Sequence, residues 1–78
     1  MAANAAYLLT GGTARWFAAK GWSVLHMPGG LIQATKRGHI AHGVKLEPGE
    51  TTEDALQRLK RHVLEVYPGG FRGAKEAV

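Results

Sequence analysis

The chain contains no cysteine, a single serine (Ser23) and, over its first 46 residues, no aspartate or glutamate. Without cysteine, neither a disulfide nor a thiolate zinc site can hold the fold. A 78-residue chain has a small core relative to its surface, so its stability must come from packing, self-association or a partner. The missing thiols also fit a reducing compartment, such as a bacterial or host-cell cytosol, and a virus-encoded protein better than a secreted mini-domain. The absent carboxylates disfavour acid–base chemistry by carboxyl groups anywhere before Glu47. A long apolar run is missing too. The opening MAANAAYLLT has no basic leader and soon gives way to Arg15 and Lys20, so it reads as neither a signal peptide nor a membrane span.

What is present is globular. Charged residues make up 21% of the chain, and apolar and aromatic residues are plentiful, which is not a disordered composition. The net charge is +4, a modest push toward a polyanionic partner. Its distribution says more than its size. Arg15, Lys20, Lys36, Arg37 and Lys45 precede every acid, whereas Glu47, Glu50, Glu53, Asp54, Glu65 and Glu76 all follow.

Residues 2–9 read either as a short helix or as a strand. Gly11-Gly12 breaks that segment, and Thr13 is placed to cap a helix through Lys20, with Ala14, Phe17 and Ala18 on one side and Trp16 opposite. Gly21 then suits the left-handed geometry that closes a helix. From Trp22 the period becomes that of strands: 22–27, a reversal at Pro28-Gly29-Gly30, 31–36, a turn near Arg37-Gly38, and 40–46. In the last of these, Ile40, His42, Val44 and Leu46 share one face. The small residues Ala41 and Gly43 lie on the other with Lys45, where a helix or a partner backbone could come close. The final helix begins at Thr51 as N-cap, with Glu53 and Asp54 in its first turn and an apolar stripe of Ala55, Leu56, Leu59, Val63 and Val66. Asp54 and Arg58 are four apart, the spacing of a helical ion pair. Pro68-Gly69-Gly70 stops the helix before a tail in which Phe71 can tuck back. The expected class is α+β: a small αβββα domain spanning 1–68, its three-stranded antiparallel meander packed against the C-terminal helix, and a tail at 69–78. Double-stranded-RNA-binding-like domains share this element order, but topology alone does not assign function.

Two basic clusters carry the functional expectation. Lys36, Arg37 and His39 sit at a hairpin tip, with His42 and Lys45 following; such a tip can push an arginine fork and a lysine point charge against phosphates. Arg58 and Arg61 share a helix flank with Glu65, and the acids at 47–54 direct any phosphate contact to the later turns. The leading reading is a non-enzymatic nucleic-acid-binding module. A second is a small phage-type inhibitor or regulator that docks on an acidic surface of a larger nucleic-acid-processing complex. A third is a homo-oligomer completing its core across an interface. No cofactor is expected, and no metal, because His26, His39, His42 and His62 match no zinc spacing. A histidine-based ribonuclease is a further alternative, with His as acid or base and Lys36 or Arg37 on phosphate, although the Gly-Ser-His element usual in toxin-like ribonucleases is absent.

Two segments resemble known families. LLTGGTARWFAAKGWSV loosely resembles the strand, TGGT turn and helix of methylglyoxal-synthase-like domains, where the turn binds phosphate. That resemblance implies a weak anion site at Thr10, Gly11, Gly12 and Thr13, while the rest of the chain is too short for the parallel-sheet fold. VKLEPGETTEDALQR, residues 44–58, resembles the opening of a Nudix box, with Glu50 and Arg58 at matching positions. Val44 stands where that motif begins with glycine, Leu59 replaces a glutamate, and His62-Val63 occupy the place of two metal-binding glutamates. Magnesium-assisted hydrolysis needs those carboxylates. The resemblance therefore implies a helix-entry turn of similar chemistry and not a hydrolase.

Overall fold

A computed structural model describes residues 6–67. In chain order its elements are β1 (Tyr7–Leu8), α1 (Gly12–Ala18), β2 (Ser23–Met27), β3 (Leu31–Thr35), β4 (His42–Lys45) and α2 (Thr52–Val66). The strands form one antiparallel sheet in the order β1-β2-β3-β4, with helices on one face. The α+β class and the meander against the last helix are as the sequence implies. The sheet has a fourth strand, because the segment left open between helix and strand pairs at Tyr7 and Leu8 with His26 and Leu25. Residues 2–5 of the N-terminal segment, the Pro68-Gly69-Gly70 stop and the tail with Phe71 lie outside the described residues.

Strand alternation sorts the sheet into two faces. Val24, Ala34 and His42 lie in one row, and His26, Ile32 and Val44 in the next, on the face toward the helices. Leu25, Gln33 and Gly43 face the other way, as do Met27, Leu31 and Lys45. Thus α2 packs on the Val44 side of β4, and the small-residue side stays open among the described residues. Gly43 is still needed there: a Cβ would meet the Ile32 carbonyl oxygen at 3.0 Å and Leu31 Cδ1 at 3.2 Å.

The core lies between sheet and helices. Phe17 of α1, Ile32 of β3 and Leu59 and Val63 of α2 are fully buried, with Trp22, Val24, Ala55 and Leu56 completing the layer. The stripe on α2 holds through Val63, but Val66 is 48% exposed because the helix outruns the sheet. The α1 C-terminus closes as expected around Gly21, which takes φ 84°. The Trp22 N–H reaches the Phe17 carbonyl and the Gly21 N–H that of Ala18, a paired closure that sets Trp22 into the core.

Thr13 does not cap its own helix. Gly11 holds the N-cap position without a side-chain bond, and Thr13 lies one residue inside α1. Its N–H donates to both Glu53 carboxylate oxygens, at 3.1 and 3.2 Å, and its hydroxyl bonds the same group. A carboxylate on α2 therefore satisfies one of the orphan donors of α1. The expected ion pair between Asp54 and Arg58 is also absent, since Asp54 turns back to the Thr51 N–H in a complete capping box. No described helix is long and apolar enough to cross a membrane.

Truncation should separate the two faces. Phe17→Ala is expected to cost about 3–5 kcal/mol, enough to unfold most of so small a domain, whereas Leu25→Ala on the open face should cost roughly 1 kcal/mol or less. Urea unfolding followed by far-UV circular dichroism measures both.

Candidate nucleic-acid interface

The turn from β4 into α2 places the best-defined polar site. Arg58 lies on the second turn of α2 and reaches back across the helix entrance. Its Nε donates to Glu50 Oε2 at 2.6 Å and its Nη2 to Glu50 Oε1 at 2.8 Å, a two-pronged contact of the kind that planar guanidinium favours. Nη2 also donates to the Lys45 carbonyl oxygen at 2.6 Å, tying the end of β4 to the helix. The Arg58 hydrogen bonds and one from the Glu47 N–H hold the Glu50 carboxyl down to about 2, from an ordinary 4.5. The paired carboxylate in turn raises the Arg58 pKa. These are the two positions on which the Nudix-like resemblance rests, and here they form a helix-entry clasp.

Beside the clasp, a cleft of about 350 Å³ opens between β4 and α2, lined by Gly43, Val44, Arg58, Arg61, His62 and Glu65. Arg61 and His62 are exposed on its helix wall. Arg58 forms the closed end, its guanidinium already occupied by Glu50 and the Lys45 carbonyl. The expected grouping of Arg58, Arg61 and Glu65 on one flank is present, while Lys60 points elsewhere, with its Nζ 5.0 Å from the Trp16 ring centre. Lys45 presents its side chain on the open sheet face.

The other basic cluster occupies the β3–β4 connection. The His39 N–H bonds the Lys36 carbonyl, and Gly38 takes φ 82° inside that turn, leaving Lys36 and Arg37 exposed. Lys36 bends toward the α1–β2 turn: a Cβ on Gly21 would sit 3.3 Å from its Nζ. The two clusters are joined by a row of rings that the sequence did not bring together. His39 stands edge-on to Trp22 at 5.5 Å, Trp22 lies 6.0 Å from His42, and His42 lies 6.2 Å from His62. His42 contacts the Tyr67 hydroxyl through Nε2 at 3.3 Å. Partial burial, and then the neighbouring charge of His62, lower its pKa. His26 is bonded to the Tyr7 hydroxyl near the β1 edge of the sheet. Among the described residues no group of three histidines or acids is arranged to hold a metal ion.

The TGGT turn at Thr10, Gly11, Gly12 and Thr13 lies near the opposite edge, and its anion is internal. Besides the Thr13 contacts, a Cβ on Gly12 would come within 2.5 Å of Glu53 Oε1, so this glycine leaves room for the carboxylate. Hydrogen bonds from the Thr13 hydroxyl and then its N–H lower the Glu53 pKa. Sequence reasoning assigned Glu53 only to the helix dipole. The missed signal was chemical: a turn rich in free amides needs an anion, and this chain has none before Glu47.

No protein-family model matches the chain, and neither a curated protein nor a solved structure matches it.

The lowered pKa values set the acid response. Glu50 and Glu53 bind protons less readily folded than unfolded, so their stabilisation is present above about pH 4.5 and disappears as pH falls toward 2. His42 adds a loss beginning below its ordinary 6.5. Stability measured by denaturant titration should therefore decline in two windows, and Glu50→Gln should flatten the lower one while leaving the upper one in place.

Proposed function

We propose that the chain is a small non-enzymatic nucleic-acid-binding module. Its phosphate contacts come from Lys36, Arg37 and His39 on the β3–β4 connection and from Arg61 and His62 at the mouth of the β4–α2 cleft. One observation carries this reading: three acids beside the cleft and the α2 entrance are engaged by the chain itself. Glu50 holds Arg58, Glu53 holds α1, and Asp54 completes the α2 cap. Among the described residues Arg58 is the cation held in an ion pair, while Lys36, Arg37, Lys45 and Arg61 are exposed. An arginine fork beside mobile lysines suits a phosphate backbone, and nothing in their spacing demands a particular base sequence.

In this reading Arg58 shapes the cleft and Lys45 extends the positive field from the outer face. No catalytic role is assigned to His42 and His62, since Tyr67 engages the His42 ring. A cytoplasmic location, bacterial or in an infected cell, fits a thiol-free basic domain of this kind.

Fluorescence anisotropy with a labelled 20-nucleotide single strand and the matching duplex tests the proposal. About three or four phosphate contacts should make log K fall with log salt by roughly 2 to 3 on the single strand. Lys36→Ala/Arg37→Ala and Arg61→Ala should each weaken binding by about 3- to 30-fold and reduce that slope, while unfolding like wild type. Binding of both folded variants at wild-type strength would remove the interface, and absence of salt-sensitive binding would remove the function. An RNA probe should remain intact; its conversion to 2′,3′-cyclic phosphate ends would make the protein a ribonuclease.

A further inference from the structure

At the sheet edge opposite the β4–α2 cleft, β1 ends after two residues and leaves an opening between α1 and β2. A half-enclosed cavity of about 250 Å³ lies there. Leu8, Leu9, Ala14, Ala18, Trp22 and Val24 make its walls predominantly apolar. Leu8, which borders the cavity and pairs with Leu25 of the open sheet face, is 58% exposed. The charged residue in the wall is Arg15, exposed on α1 and held in no ion pair among the described residues.

Size and charge together narrow the occupant. The volume falls below the roughly 300–1,000 Å³ of ordinary small-molecule pockets and suits one anchoring side chain of a larger partner. Among the described residues no carboxylate pairs with this cation: Glu53, the acid that reaches α1, is held by Thr13. A second copy meeting this edge symmetrically would set Arg15 against Arg15. We propose that this cavity is a docking site for an acidic peptide segment of a partner protein, in which a leucine or phenylalanine side chain fills the apolar hollow and a flanking carboxylate pairs with Arg15. Such an anchor in a desolvated pocket, ringed by weaker contacts, is the usual core of a small interface. Because β1 and β4 are opposite edges of the sheet, this site can be filled while the β4–α2 cleft is also occupied. It stands independently of the nucleic-acid reading.

The test is an amide NMR titration of the full chain, without nucleic acid, using acetyl-Asp-Asp-Leu-Phe-Asp-Asp-amide as probe. At up to about 2 mM peptide, saturable shifts are expected at Leu9, Gly11, Ala18 and Ser23 and not at Gly43 or His62. Arg15→Glu should weaken binding about ten-fold or more, and Ala18→Trp, which fills the hollow from an exposed helix position, should abolish it. The same peptide with lysine in place of aspartate should not bind. Circular dichroism melting verifies that both variants fold. Absence of shifts, equal binding by folded Arg15→Glu, or equal binding of the lysine peptide would each overturn the proposal. So would octanoate producing the shifts when the peptide does not, which would make the cavity a site for free apolar acids.

Discussion

The entrance to α2 holds the fold together through carboxylates. Within five residues, Glu50, Glu53 and Asp54 each bond a different part of the chain: Arg58 and through it the end of β4, the first turn of α1, and the Thr51 cap. The helix is thereby registered against both the sheet and the other helix before its apolar stripe reaches the core. Phe17, Ile32, Leu59 and Val63 then close a single layer. Hydrophobic burial supplies the larger driving force, but it is non-directional. The hydrogen-bonded carboxylates provide direction and select one placement of α2 over neighbouring ones.

The same arrangement controls the outer electrostatics. A chain with ten basic and six acidic residues could pair most of its charge on the surface. Here the carboxylates at the helix entrance turn to backbone amides, a threonine and one arginine. Among the described residues, Arg15, Lys36, Arg37 and Lys45 of the acid-free front are exposed and held in no ion pair. Their field reaches solvent, screened over about a Debye length at physiological salt. A cleft lined by Arg61, His62 and Glu65 lies at one edge of the sheet and an apolar hollow bordered by Arg15 at the other.

Much of the architecture was legible because local signals agreed. Thr51 and Asp54 announced the start of α2, the stripe through Leu59 and Val63 announced its buried face, and Gly21 marked the end of α1. Strand parity placed His42 and Val44 together on the helix side. The misreadings share one physical cause: polar side chains choose partners by three-dimensional proximity. Asp54 is four residues from Arg58, yet the cap at Thr51 takes it and Glu50 claims the arginine. Thr13 looks like an N-cap, yet a carboxylate 40 residues away takes both its donors. The strand at Tyr7–Leu8 was ambiguous because two residues carry no period, and pairing with β2 decided it. Of the candidate site, the basic residue types and their two clusters were readable. The ring row through Trp22 and His42 that connects them was not, since it joins four separate segments of the chain.

The division between engaged and available arginines is the central claim, and side-chain ¹⁵N NMR observes it directly. In a titration of the labelled protein with a single-stranded oligonucleotide, the Arg61 Nε–H resonance should move with the anisotropy-defined binding curve. The Arg58 Nε–H should already be slowly exchanging and stay in place, because Glu50 and the Lys45 carbonyl hold that guanidinium in the free protein. Movement of Arg58 together with loss of its exchange protection, or an Arg61 signal that ignores bound nucleic acid, would contradict the account.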